Sequence, residues 1–207
     1  MSQLKLTADS GGGTVAIKGP ASTTGNAALE MTVPSAASGT LDSLNRAGNI
    51  LQVVSVTKTD TASQSSNTLA AIAGLQPTIT PASSSNKILI NINLKIGSSN
   101  DYADANLKLY RSIGGSETEI FSGTDYGSRT AGFWGCQDFH QFGEYYQVPV
   151  SSQYLDSPST TSEITYLIKW QLQRSSTSIY LNRTGDDTND AGAHRLSSSI
   201  TLMEVAS

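Results

Sequence analysis

Ile88, Ile90, Ile92, Leu94 and Ile96 alternate with Leu89, Asn91, Asn93 and Lys95, and this alternation constrains the fold of the chain more than any other feature. Successive side chains of a β-strand point to opposite faces. The run therefore carries one aliphatic face and one mostly polar face, the pattern of a strand lying on a core. A second run repeats it: Ile164, Tyr166, Ile168, Trp170 and Leu172 share a face against Thr165, Leu167, Lys169, Gln171 and Gln173. Both apolar faces must be covered, and with helical periodicity almost absent the covering layer is another sheet.

Further strand signals fall at residues 50–59, 68–72, 78–80, 105–113, 118–121, 132–135, 145–150, 177–182 and 198–205. A spacing of about 8–15 residues without a helical crossover is the rhythm of a sandwich or barrel. Pro77 and Pro81 bracket one short segment, Pro149 is expected to end another, and Pro158 lies in the polar loop Ser157-Pro158-Ser159-Thr160-Thr161. These are edge and turn positions, where a missing N–H costs no ladder bond. The predicted fold is all-β: an antiparallel jelly-roll or β-sandwich head of about ten or eleven strands, preceded by an extended N-terminal β arm. An immunoglobulin-type domain ranks second, because its Cys…Trp…Cys pattern is missing.

The arm is read from residues 1–47, which are rich in Gly, Ala, Ser and Thr. Their brief two-periodic pulses at Leu4 and Leu6, Val15 and Ile17, Leu29 and Met31, and Val33 are separated by Gly11-Gly12-Gly13, Gly19-Pro20 and Gly25-Asn26. Strands this short bury no core alone. The segment is expected to pair on a partner surface and serve attachment and assembly, the alternative being a floppy leader. A single helical turn or plain linker is expected at residues 41–48, with Gly48 as its cap, and residues 48–207 are assigned to the jelly-roll-like domain.

Charged residues make up 14% of the chain, against roughly 25% in an ordinary soluble domain. A polar but nearly uncharged surface suits a protein that buries much of its outside against neighbours, since each unpaired charge is costly to desolvate. Many-copy assembly is the natural reading. The net charge of −4, with basic residues scattered, speaks against nucleic acid and against an anionic membrane surface. Cys136 is a single cysteine, so the fold is not expected to use an internal disulfide. The first six residues lack a secretory apolar run, and no stretch is long enough for membrane insertion, which points to synthesis in a cytoplasm.

Chemistry-bearing groups crowd only at residues 134–144, where Cys136, Asp138, His140, Phe142 and Glu144 would share one face of an extended segment. No oxyanion site accompanies the Cys/His pair, so a buried cysteine and a loop histidine are the preferred reading and no catalytic residue is assigned. With His140 and His194 as the two histidines, no zinc spacing emerges. Asp186, Asp187, Asn189 and Asp190, and more weakly Asn100, Asp101 and Asp104, offer calcium-type oxygens, but the pattern departs from the helix-loop-helix motif and reads first as a solvated hairpin tip. Asp125, Asp138, Glu144 and Asp156 are formal candidates for two-carboxylate glycoside chemistry, without a spacing to support it. Gly11-Gly12-Gly13 runs into Thr14-Val15 and not into the Lys-Ser/Thr of a phosphate loop. Tyr102, Tyr110, Tyr126, Phe133, Trp134, Phe139, Phe142, Tyr145, Tyr146 and Tyr154 concentrate in the middle of the chain, for core and interface packing first and sugar stacking second. No metal, cofactor or enzymatic role is expected.

The stretch Gly48-Asn49-Ile50-Leu51-Gln52-Val53-Val54-Ser55-Val56-Thr57-Lys58-Thr59-Asp60-Thr61, followed by Gly74-Leu75-Gln76-Pro77-Thr78-Ile79-Thr80-Pro81 through Asn86-Lys87-Ile88-Leu89-Ile90, resembles a recurring domain of tailed-bacteriophage virion proteins, common in phages of aquatic bacteria. Leu155-Asp156-Ser157-Pro158, Ser162-Glu163-Ile164-Thr165-Tyr166, Asn182-Arg183-Thr184 and Ser199-Ile200-Thr201-Leu202-Met203-Glu204-Val205 continue the likeness in order, so that it covers most of residues 48–207. Residues 4–15 are similar to the leaders by which phage fibre-like proteins attach to the particle. The resemblance implies a trimeric fibre, appendage or capsid decoration protein with a jelly-roll head of tumour-necrosis-factor-like shape. It would be located in the virion, attached to other virion proteins through residues 1–47, and in contact with a host surface glycan. A carbohydrate-binding module is the rival from another class.

Overall fold

The computed structural model describes residues 3–7, 14–18, 46–99, 103–136, 145–173 and 177–207. Its contacts divide the chain into two compact units, Met1–Leu41 and Asp42–Ser207. In the first unit β1 (Gln3–Thr7) and β2 (Thr14–Lys18) form an antiparallel hairpin whose register sets Leu4 opposite Ile17 and Leu6 opposite Val15. The two-periodic pulses of the arm thus pair with one another. The pulses at Leu29, Met31 and Val33 and the triple glycine lie outside the described residues.

The second unit contains β3 (Ile50–Lys58), β4 (Ala62–Gln64), β5 (Ala70–Ala71), β6 (Thr78–Ile79), β7 (Lys87–Ser98), β8 (Ala105–Ile113), β9 (Ser116–Phe121), β10 (Trp134–Cys136), β11 (Val148–Asp156), β12 (Ile164–Leu172), β13 (Ile179–Leu181) and β14 (Ser198–Val205). All pairings among the described strands are antiparallel, and one set is nested: β3 with β14, β5 and β6 with β12, β7 with β11, and β8 with β9 and β10. Nested pairing describes one long hairpin. The additional pairs β14–β7 and β12–β8 roll it into two sheets. The first runs β3–β14–β7–β11 and the second β9/β10–β8–β12–β5/β6, which is the strand order of a jelly roll. Ile96 lies opposite both Val148 and Leu181, so β11 flanks β7 on one side while β14 and then β13 flank it on the other. This order excludes the immunoglobulin alternative.

The core lies between the sheets. Ile88 to Ile96 and Ile164 to Leu172 contribute the alternating apolar faces expected of them, and Ile200, Leu202, Leu107 and Leu109 complete it, all buried. Burying a Leu or Ile side chain is worth roughly 1.5–3 kcal/mol. Along one side of the sandwich Phe121 of β9 stacks on Tyr154 of β11 at 4.9 Å between ring centroids and on Phe133 at 5.7 Å, joining edges of the two sheets. The β8–β9 turn uses Gly114 and Gly115, both at positive φ (58° and 84°), the backbone that a two-residue hairpin with right-handed strand twist demands.

Two expectations need correction. Pro149 does not end a strand: β11 begins at Val148 and continues to Asp156, with Pro149 opposite Lys95. β11 is an edge strand, so a residue without an N–H is tolerated at its start. The signal at residues 68–72 shortens to β5, and β4 was not foreseen, because Ala62-Ser63-Gln64 has no apolar alternation and is a strand only by pairing with β13. Near the linker, Ala47 and Gly48 form a turn closed by the Asn49 N–H donating to the Arg46 carbonyl at 3.0 Å, with Gly48 at φ 89°. Residues 41–45 lie outside the described residues.

Candidate functional site

The two outward faces of the sandwich are chemically opposite. On the first sheet, alternation sends Val53, Ser55 and Thr57 outward from β3, and register places each in a row across four strands. The rows are Val53–Met203–Leu89–Leu155, Ser55–Thr201–Asn91–Gln153 and Thr57–Ser199–Asn93–Ser151, and none contains a charge. Lys87 and Lys95 stand beyond them along β7. The first row is an unbroken aliphatic stripe about 14 Å wide at ordinary strand spacing. Val53 is 58% exposed and Leu155 46%, with Ile50 also exposed beside the stripe.

The second sheet's outer face holds an ionic ladder instead. Lys108 pairs with Glu119 at 3.0 Å, Lys169 pairs with Glu117, the Tyr110 hydroxyl donates to Glu119 at 3.2 Å, and the Lys169 ammonium lies 4.5 Å from the centre of the Tyr110 ring. Burial pushes the Glu119 carboxyl up, but the hydrogen bonds from Ser122 and Lys108 and the lysine's charge outweigh it and hold the group below its ordinary value.

The two ends of the sandwich also differ. At the end where β3 begins, the row Gln52–Glu204–Ile88–Asp156 turns inward. Glu204 accepts hydrogen bonds from Gln52 Nε2 (2.6 Å), Asn86 Nδ2 (2.6 Å) and the Ala82 N–H (2.7 Å). Asp156 accepts Arg111 Nη1 on both carboxylate oxygens, at 2.9 and 3.0 Å, and the Tyr166 hydroxyl at 2.8 Å. Burial, and then the Asp156 charge, push the Tyr166 phenol far above its ordinary value. The opposite end carries the connections that follow β3, β7, β10, β12 and β13.

At that second end a cleft of about 560 Å³ opens beside the start of β8. Asn106 points outward from β8, opposite Gln171 of β12 and Gly135 of β10. It is nevertheless only 6% exposed, because the 122–133 connection folds over it. Gly132 makes that approach possible: a Cβ there would stand 2.6 Å from both the Leu107 carbonyl oxygen and Asn106 Nδ2. Asn106 Nδ2 reaches the Thr130 carbonyl at 3.5 Å, and the Thr130 hydroxyl donates to Gln173 Oε1 at 3.2 Å. Among the described residues the buried Asn106 Oδ1 has no hydrogen-bond partner. Asp104, Ser128 and Arg129 also line the cleft, and the Arg129 guanidinium packs 5.3 Å from the centre of the Tyr126 ring, which is 73% exposed.

The residues singled out from sequence fall as follows. Cys136 closes β10 and lines the cleft, whereas Asp138, Phe139, His140, Phe142 and Glu144 lie outside the described residues, as do Asn100, Asp101 and Tyr102. His194 is exposed on the 182–197 connection, and no three His, Cys, Asp or Glu side chains converge among the described residues. In the acidic loop each carboxylate serves the loop itself. Asp186 accepts the Thr188 N–H and the Tyr145 hydroxyl, Asp190 accepts the Gly192 N–H, and Asp187 pairs with Arg195, whose hydrogen bond holds it below its ordinary value. Asp125 accepts the Ala131 N–H at 2.7 Å, far from the inward network of Asp156 in both setting and role. Of the aromatics, Tyr126, Tyr145 and Tyr146 are exposed while Phe133 and Tyr154 join the stack on Phe121.

The outward stripe and Asn106 were not singled out. Leu89 stood visibly out of place on the polar face of its strand, a usable signal. Asn106 gave none, since its burial depends on a loop folded over it.

No protein-family model matches the chain, and no curated protein matches it. Among solved structures it is similar to chains of infectious bursal disease virus. The Gt strain particle aligns with a TM-score of 0.35 and 14% identity over 94% of this chain and 45% of the other. The Gx strain gives 0.38 and 16% over 99% and 46%. The VP2 subviral particle gives 0.36 and 16% over 94% and 47%. The chain thus spans less than half the length of these proteins. Strand order, and not this likeness, defines the fold.

Proposed function

We propose that this chain is a non-enzymatic, self-assembling structural component of a bacteriophage virion, a trimeric fibre or surface appendage docked through residues 1–47 with its jelly-roll domain directed at the host surface. The observation that carries the reading is the aliphatic stripe on the outer face of the β3–β14–β7–β11 sheet, whose three central rows hold no charge and which Lys87 and Lys95 border along β7. An exposed apolar row continuous across four strands marks an interaction surface, and rows that hold no charge meet copies of themselves without like-charge repulsion. The low overall charge fits the same account. Trimerisation, the docking role of the arm and the virion location follow from the resemblance to phage virion domains. A capsid decoration protein is the same reading at another place on the particle, and labelling of intact virions separates tail from capsid.

The test is the native mass of the full chain by light scattering coupled to gel filtration. The expected mass is three times 21.8 kDa, falling toward the monomer in Val53→Asp and Leu155→Asp, whose exposed positions leave the core untouched. A monodisperse monomer at high concentration would sink the proposal.

A further inference from the structure

We infer that the free edge of β3 pairs with the same edge of a second copy of this chain, the two strands running antiparallel about a two-fold axis at Ser55. The phase of the sheet decides which backbone groups that edge presents. The Asn182 N–H donates to the Lys95 carbonyl and the Lys95 N–H to Ser198 Oγ, so Lys95 turns its backbone toward β13 and β14. Residues of an antiparallel strand bond alternately to one neighbour and the other. Asn93, two residues back, therefore faces β14, and Ser199 opposite it faces β7. Ser198 then faces β3, and Lys58 opposite it faces β14, together with Val56 and Val54. The Lys58 carbonyl agrees, since it accepts Asn182 Nδ2. What β3 turns to its free edge is thus the N–H and C=O of Val53, Ser55 and Thr57. Among the described strands β3 pairs with β14 alone, and among the described residues no turn or loop bond reaches these groups.

Sheets ward off edge pairing with proline, charge and bulges. β9 carries Glu117 and Glu119 and β11 begins at Pro149, whereas β3 between Gln52 and Thr57 holds no charge, no proline and no bulge. A second β3 is the occupant that fits. About Ser55, Val53 meets the partner's Thr57, Ser55 meets the partner's Ser55, and Thr57 meets the partner's Val53. These three pairs use every free group on both strands and set no like charges opposite one another. An axis at Val53 or Val54 would need Leu51 in place of Thr57, and Leu51 is the extra residue of the bulge opposite Glu204 and Val205. On the inner side the half-buried Val54 meets the partner's Val56, which covers apolar surface left open at the sheet margin. So short a ladder buries less than the roughly 800 Å² per partner of a standard interface, so it forms among copies already gathered together. Being isologous, it joins copies in pairs and acts beside any three-fold contact.

The experiment is disulfide cross-linking of the full chain at high protein concentration, in Ser55→Cys, Thr57→Cys and the parent, with diamide as oxidant and non-reducing gels as readout. Facing residues of a hydrogen-bonded pair stand about 5.5 Å apart at Cα, within the roughly 4.4–6.8 Å that a disulfide spans. Residue 57 of each copy would be offset from the other by about 13 Å along the strand. Ser55→Cys should therefore form a covalent dimer about tenfold faster than Thr57→Cys, and the parent, which carries Cys136, sets the background. Thr57→Pro in the Ser55→Cys chain removes an N–H that β14 does not use, so the thermal transition should persist and the dimer be lost. Should that chain fail to fold, the comparison of the two exposed cysteine positions carries the test alone. Equal dimer from both cysteines, or none from Ser55→Cys, would overturn the inference. So would a native mass altered by Thr57→Pro without a Ser55→Cys dimer, which would put a different strand on the edge. A trimer that does not cross-link at Ser55→Cys would defeat this inference and leave the assembly proposal standing. A cross-linking dimer that never reaches three copies would do the reverse.

Discussion

Glu204 is fully buried at the inner end of β14, and its side chain holds three segments together: Gln52 of β3, the Ala82 turn and Asn86. Burial pushes its carboxyl up, but the hydrogen bonds donated by Asn86, Gln52 and the Ala82 and Ser83 N–H groups outweigh burial and leave it below the ordinary value of 4.5. A carboxyl whose folded value is depressed contributes stability that is present above its unfolded value and is lost as pH falls through the folded one. Thermal unfolding midpoints should therefore drop as pH is lowered from about 4.5, as carboxylates of this kind take up protons. Glu204→Gln should start lower at pH 7 and show a visibly flatter decline over that acid range. Parallel curves for the two proteins would show that Glu204 titrates alike in folded and unfolded chains. Asn182, by contrast, was visible in sequence only as the end of the 177–182 strand signal and as part of the Asn182-Arg183-Thr184 likeness. Its role is conformational: it sits at φ 63°, which Asn tolerates better than most residues, and its Nδ2 donates to the Lys58 and Asp60 carbonyls.

At the scale of the element, legibility followed one-sided burial. β8 and β14 were bounded correctly from sequence, and β7 and β12 nearly so, because each lays alternate side chains on the core and the period of two survives in the residues. β11 was cut short at Pro149 because its outward residues are Ser, Gln and Leu and its edge position accepts proline. β4 and β5 are too brief to carry any period. The close approaches between elements were not legible. Gly97, near the end of β7, leaves no room for a side chain: a Cβ there would lie 2.3 Å from the Arg183 carbonyl oxygen, which is backbone and cannot swing aside. Gly97→Ala should force β7 and the 182–197 connection apart and destabilise the domain by about 3 kcal/mol, as overpacking does. Urea unfolding should show this as a lower midpoint at unchanged slope. A midpoint within error of the parent would mean that the connection yields freely.

For the whole molecule, the sparse charge read from composition becomes informative only once the sheets are assembled. The sequence shows few charges but not their segregation, since Lys108, Glu117, Glu119 and Lys169 come from three strands and meet on one face, while the central rows of the other face hold Ser, Thr, Asn, Gln and the aliphatic stripe, with Lys87 and Lys95 beyond them. That segregation distinguishes two modes of self-association by their response to salt. Charges on an exposed ionic face are screened over about 3 Å at 1 M salt against about 10 Å at 0.1 M, so copies joined through the ladder would separate as salt rises. Copies joined through the aliphatic stripe are held by apolar contact and not by ion pairs, and sulfate, excluded from protein surface, strengthens apolar burial. The assembled mass should therefore hold between 0.1 and 1 M sodium chloride and persist to lower protein concentration in sodium sulfate. Dissociation by sodium chloride would move the interface to the β8–β12 face, where Lys169→Ala, and not Val53→Asp, would then be the variant that yields monomers.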